Sequence, residues 1–209
     1  NATRPDEIKL SPGDLQRRWR IDQDRNTYLC PQPLDVLTAD FDPLIAEILR
    51  LDETAELLLI APERESWDAA WGRRFAVNYA DVAGRMRFVS VHSRADLHSL
   101  LCAVDVVLES PAWNDAMLAF DCLGLGVPLV TLPGKGARSR RSHSCFRQIS
   151  VFDCVAYHSA DYVETALTLA MDKRRRSVVS QAIRNRAHVL FGQRSSFDSY
   201  MNFLEDRTA

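Results

Sequence analysis

The sequence predicts an α/β domain built on a parallel sheet. Two observations carry that expectation, and a third sets its size. Short runs at 27–30, 56–61, 85–91, 104–108 and 127–132 are apolar or alternating, and turn or polar residues bound them, as they bound strands. Between them lie stretches whose apolar residues recur at helical spacing, the alternation that yields strand–helix–strand units. With 209 residues the chain can bury one sizeable core.

Residues 1–26 are polar and charged, with Pro5, Pro12, Gly13 and a basic cluster at Gln16–Arg20. They read as a linker or docking segment, set apart from a domain over 27–190 and a final helix over 191–209. Thr27–Cys30 is the first strand, followed by Pro31-Gln32-Pro33. Phe41–Leu51 places Phe41, Leu44, Ile45, Ile48 and Leu49 on one helical face, with Asp40 or Asp42 to cap it and Pro43 in its first turn. Glu56–Ala61 is a buried strand, Trp67–Tyr79 an amphipathic helix with Trp71 and Phe75, and Arg85–Val91 an alternating strand. Ser93 is placed to cap a helix over Ala95–Val104, with Asp96 at its third position.

The chain is organised around Val104–Gly134. Val104–Leu108 is a strand rich in β-branched residues, Glu109–Asp115 a loop, and Ala116–Leu125 a helix that Gly126 ends, with Pro128 beyond it. Val127–Leu132 is the next strand and stops at Pro133-Gly134. In such a unit the loop at the strand's carboxyl end and the helix start offer free N–H groups and a positive dipole, which suit phosphate. Asp121 lies inside the apolar helix, a costly place for a carboxylate without a partner; a ribose diol is one possible partner. Lys135, Arg138, Arg140, Arg141 and Arg147 then form a basic run, readable as a phosphate-binding face, a protein contact or a solvated face. Phe152–Tyr157 reads as a last short strand. Ser159–Met171 is a helix with Ser159 as cap, Val178–Leu190 another, and Phe191–Arg207 a final helix with an aromatic face of Phe197, Tyr200 and Phe203.

Composition narrows the classes. The chain has 28 acidic and 26 basic residues, a formal charge of −2, which gives no general basis for binding nucleic acid or an anionic membrane. No apolar run approaches the ~18 residues of a membrane span, and no signal-peptide pattern is present. Asn1-Ala2-Thr3 matches a glycosylation acceptor, a pattern common by chance, and the absence of an initiating Met is expected of a fragment or processed product. Five cysteines without a CxxC pair point to a reducing compartment and hence to the cytoplasm. There is no internal repeat, no metal-ligand spacing, no G-x-S-x-G elbow, no Walker loop and no G-x-G-x-x-G fingerprint.

The order of strand, Pro-containing loop, helix with an acid, Gly126-Val127-Pro128, strand, Pro133-Gly134 and Ser139-Arg140 resembles glycosyltransferase family 41, the O-GlcNAc transferases with TPR repeats and their bacterial relatives. The resemblance extends from Tyr28 to Glu205. It implies a Rossmann-like three-layer domain, the C-terminal half of a GT-B fold, holding a UDP-sugar donor, with C-terminal helices beside it. It implies donor contacts at Gln32, His92, Arg94, Asn114, Asp121 and Arg140. It also implies an upstream acceptor-binding or TPR-bearing domain, on this chain or in a partner protein, and a protein acceptor. No cofactor besides the donor substrate, no metal and no catalytic residue within this chain is implied.

The chain departs from the family's pattern where that pattern grips phosphate. The family's Gly-His-Thr-Thr run falls on Asp115, Ala116, Met117 and Leu118, its phosphate-contacting lysine near Val36, and a histidine of many relatives at Leu97. Asp115 puts negative charge where phosphates are expected, and as a helix cap it would occupy the donors they need. Three readings stay open: a donor-binding transferase domain, a catalytically inactive GT-B-like scaffold or protein-interaction domain that has lost its phosphate site, and an unrelated Rossmann-like domain or GT-B-type epimerase. For the last, the expected histidine and two glutamates cannot be located.

Overall fold

A computed structural model of the chain describes residues 3–6, 8–62, 65–192, 201 and 203. Strands β1 (Thr27–Cys30), β2 (Glu56–Ile60), β3 (Met86–Val89), β4 (Val106–Leu108) and β5 (Leu129–Val130) form one sheet in the order β3-β2-β1-β4-β5. Every pairing is parallel, with Tyr28 opposite both Leu57 and Val106. Parallel strands need crossover connections, and here helices provide them. The helices are α1 (Pro12–Trp19), α2 (Asp42–Leu51), α3 (Glu65–Asn78), α4 (Ala80–Ala83), α5 (Arg94–Leu101), α6 (Ala116–Leu125), α7 (Arg141–Ile149), α8 (Ser159–Met171) and α9 (Lys173–Arg186).

Helix α2 packs on α8, and α8 on β4 and β5, while α5 packs on α6 and α1 on α5. The sheet thus lies in the middle of a three-layer Rossmann-like α/β domain. Its central strands carry no polar face: Tyr28, Leu29, Leu58, Leu59, Val106 and Val107 are buried, each aliphatic contributing about 1.5–3 kcal/mol by leaving water. The one hydroxyl among them, on Tyr28, donates to Asp52 at 3.1 Å.

Several local expectations change. The segment before β1 folds and docks. Ser11 caps α1 by accepting from the Asp14 N–H, Leu15 and Ile21 are buried, and the Trp19 indole donates to Ser99 at 3.0 Å. Neither Asp40 nor Asp42 caps α2; Phe41 holds that position, and Asp42 turns inward to pair with Arg74 at 2.9 Å. The strand expected over Phe152–Tyr157 shrinks to one bridge, Thr131 to Val155. Ser150 ends α7 in a left-handed conformation and His158 already caps α8, so little extended chain is left between them. His158, not Ser159, is that cap, with Nδ1 accepting from the Asp161 N–H at 3.1 Å. Helix α9 begins at Lys173 because Asp172 caps it through the Arg175 N–H. Most of the expected helix over Phe191–Arg207 lies outside the described residues.

Among the described residues no helix is long and apolar enough to cross a membrane, and no group of three or more His, Cys, Asp or Glu is placed to hold a metal. The five cysteines are free thiols.

Candidate functional site

The strand order reverses between β1 and β4, and in open α/β sheets a ligand crevice forms at the carboxyl ends there. Two residues beyond β1 stands Gln32. It spans the crevice: its carbonyl oxygen accepts from the Ser110 N–H at 2.6 Å and its amide donates to the Trp113 carbonyl. The loop 110–114 is further tied by the Asn114 amide on the Ser110 carbonyl at 3.4 Å, and by the Asn114 N–H on the Arg138 carbonyl at 3.0 Å. The Arg138 guanidinium lies 4.9 Å from the centre of the Trp113 ring. Gln32 and Asn114 are both buried, so they shape the loop 110–114 from below instead of facing solvent.

Asp115 caps α6, its carboxylate accepting from the Met117 N–H at 2.9 Å. One of the helix's free donors is therefore in use. Beneath the cap sits Glu109, at the end of β4 and fully buried. Its carboxyl accepts from the Asp115 N–H at 3.2 Å and the Ser142 hydroxyl at 2.7 Å. Burial pushes its pKa from 4.5 up to about 8, against the lowering effect of those hydrogen bonds and the nearby Thr131 hydroxyl. At neutral pH Glu109 thus keeps its proton and adds no negative charge under the loop.

Three of the expected contact residues meet. His92, Arg94 and Asp121 line one open hollow of about 500 Å³, with Ser93, Leu97 and Met117. It lies beyond the carboxyl end of β3, against the first half of α6. Ser93 caps α5 through the Asp96 N–H at 3.0 Å, which fixes the turn that carries His92 and Arg94. Asp121 is buried to 3 % exposure and finds its partners in the protein. Arg94 donates to it at 2.5 Å, and His98 Nε2 stands 3.2 Å away, outside hydrogen-bonding angles. Arg94 is half exposed.

Arg140 stands apart from this hollow. It is exposed and donates to the Gly134 carbonyl at 2.9 Å, bracing the turn after β5. The same turn requires Gly134, because a Cβ there would come within 2.5 Å of the Ser139 hydroxyl. Ser139-Arg140 is therefore a turn lock in this conformation. Sequence reasoning did not single out His98 or Glu109. His98 lies four residues after Arg94 on the same helix face, a spacing that could have paired it with Asp121. Glu109 is an acid directly after a buried strand, the position where burial perturbs a carboxyl.

The sheet order and the reversal point define a class: an open, parallel Rossmann-like α/β domain with its ligand crevice at the carboxyl ends of the strands. The profile of glycosyl transferase family 41 matches residues 74–199, more than half of the chain, and the chain belongs to that family. In structure it is similar to an O-GlcNAc transferase variant from Thermobaculum terrenum, with a TM-score of 0.77 and 22% identity over 88% of this chain and 36% of that one. It is similar to WaaG, a glycosyltransferase involved in lipopolysaccharide biosynthesis, at a TM-score of 0.63 and 16% identity over 87% of this chain and 48% of that one. Sucrose-phosphate synthase from Thermosynechococcus elongatus aligns at a TM-score of 0.66 and 15% identity over 94% of this chain and 48% of its own. At these identities the likeness is one of fold, and the chain spans less than half of each structure. No curated protein sequence matches it.

Proposed function

We propose that this domain binds the UDP-sugar donor of an O-GlcNAc transferase-like enzyme that acts on protein, the acceptor being held by an upstream or partner domain. One observation carries the reading: His92, Arg94 and Asp121 line a single hollow at the carboxyl end of the sheet. Asp121, already stripped of water, can accept from both hydroxyls of a ribose. When it does, Arg94 is released from one anion and can turn to another, the diphosphate. In transfer, the sugar leaves a diphosphate whose growing charge must be met by fixed cations and N–H groups. Here Arg94 and the first turn of α6 can supply them, with His92 at the hollow's edge. Gln32, Asn114 and Arg140 position the loops around it.

A second reading has its own observation. The Asp115 carboxylate occupies the Met117 N–H, and Ala116, Met117 and Leu118 bring no hydroxyl to the helix start. A scaffold that has given up donor chemistry would look the same there. Calorimetry with uridine, UMP and UDP separates the two. A donor site binds UDP more tightly than uridine, and Asp121→Ala weakens UDP by at least about tenfold, the worth of hydrogen bonds to a charged group. No binding at millimolar UDP by folded protein, or equal affinity for uridine and UDP, would sink the donor reading and leave the scaffold.

A further inference from the structure

At the opposite, amino-terminal end of the sheet, α9 presents Lys173, Ser177, Ser180 and Arg184. They are spaced four, three and four residues apart and so share one helix face. All four line one cavity of about 370 Å³. The facing wall is apolar, formed by Val104, Leu125, Val127 and Pro128, and α1 closes one side with Pro12 and Gln16.

The charges of this cavity do not cancel. Asp105 is paired with Arg176 at 2.6 Å, and Arg176 also donates to the Leu169 and Ala170 carbonyls at the end of α8. That leaves Lys173 and Arg184, and among the described residues neither has an acidic partner within ion-pair distance. Arg184 is held in place by its stem. A Cβ at Gly126 would lie 2.3 Å from Arg184 Cγ, so a glycine there lets the stem cross the turn closely. Ser180, at 7 % exposure, adds its hydroxyl to the same face. Two cations without an acidic partner and two hydroxyls line one helix face of the cavity, and its one carboxylate, Asp105, is already held by Arg176, a set that suits an anionic ligand.

We propose that this cavity binds a small organic phosphate, its phosphoryl oxygens on Lys173, Arg184 and the Ser177 and Ser180 hydroxyls, its carbon body on the apolar wall. The volume is at the small end of ligand sites and exceeds what a bare phosphate fills. The inference is independent of the nucleotide hollow, which lies at the other end of the strands.

The test is titration of the chain with phenyl phosphate and with inorganic phosphate, followed by calorimetry at constant low ionic strength. Phenyl phosphate is expected to bind several-fold more tightly than inorganic phosphate. Lys173→Gln and Arg184→Gln should each weaken it about tenfold and Ser180→Ala about threefold, with unchanged far-UV circular dichroism. Arg174→Gln, an exposed neighbour outside the cavity, should leave it unchanged. Equal losses from Arg174→Gln and Lys173→Gln would mean diffuse charge and overturn the proposal. So would equal affinity for the two phosphates, the absence of binding, or loss of binding in Arg94→Gln, which would place the phosphate in the other hollow.

Discussion

Glu109→Gln is the substitution whose effect follows most directly from the structure. The side chain keeps its size and its acceptor for the Ser142 hydroxyl and the Asp115 N–H, but it can no longer ionise. In the wild type, burial raises the Glu109 pKa from 4.5 to about 8. The unfolded chain releases that proton near 4.5, whereas the folded chain keeps it until about 8. The stability gained from holding a neutral carboxyl is complete below the lower value. It is lost steadily as pH rises to the upper one, because over that window the unfolded state binds fewer protons. At about 1.4 kcal/mol per pH unit, the wild type should lose about 4 kcal/mol relative to the variant between pH 5 and pH 8. At pH 5 the two should lie within about 1 kcal/mol of each other, the difference between a neutral acid and an amide in the same hydrogen bonds. Urea unfolding of both proteins at pH 5, 6.5 and 8 reads this out, since other titrating groups cancel in the difference. Parallel stability curves over that range would refute the reasoning and show Glu109 ionising as an ordinary carboxylate.

Two further substitutions test how the site is supported. Arg74→Met removes the guanidinium that donates to Asp42 at 2.9 Å and to the Leu37 carbonyl at 3.0 Å, leaving a buried carboxylate unpaired. Urea unfolding at pH 7 should show a loss of about 3 kcal/mol, partly recovered in the double variant with Asp42→Leu. Gly124→Ala places a Cβ 2.4 Å from Pro5 Cδ and 3.0 Å from Phe191 Cζ. It should release the segment before α1, seen as faster proteolytic cleavage ahead of Pro12, while α6 itself gains slightly in propensity; unchanged cleavage would mean that the segment's packing on α6 is not what holds it.

The layered fold was legible because strands and helices announce themselves by period. The runs at β1, β2 and β4 are apolar on both faces, and Gly126 with φ 75 ends α6 where its sequence says it should. What failed were features set by partners distant in sequence. Asp42 looks like a cap until Arg74, on another helix, turns it inward. For the segment before β1 the sequence left linker and docking segment both open, because its anchors are few and scattered: Leu15, Ile21, and the Trp19 indole on Ser99. Gly124, inside α6, has no local reason to be glycine, and only the folded structure shows its missing side chain making room for Pro5 and Phe191. At the hollow, the resemblance to the family brought Arg94 and Asp121 together as candidate contacts. Nothing local could show that they bind each other, since twenty-seven positions separate them.

The ion pair and the cap bear on the donor reading with different weights. On the donor reading, breaking the Arg94 contact leaves the buried Asp121 carboxylate to the ribose hydroxyls, which must repay the lost ion pair, while half-exposed Arg94 returns to water. The Asp115 cap is the harder obstacle. Releasing the Met117 N–H costs about 0.5–2 kcal/mol, and a phosphate oxygen in its place returns about 1.5–3 kcal/mol. That exchange is close to balance before the repulsion between phosphate and Asp115 is counted. Hydroxyls at Ala116, Met117 or Leu118 would have tipped it toward phosphate, and this chain has none there. On the donor reading, the nucleoside end of the hollow asks only for exchange of the Arg94 contact, and the phosphate end is conditional. The step in affinity from uridine to UDP reads that condition together with the gain from Arg94, and the same step measured in Arg94→Gln isolates the part in which the helix start prefers a diphosphate to its own aspartate.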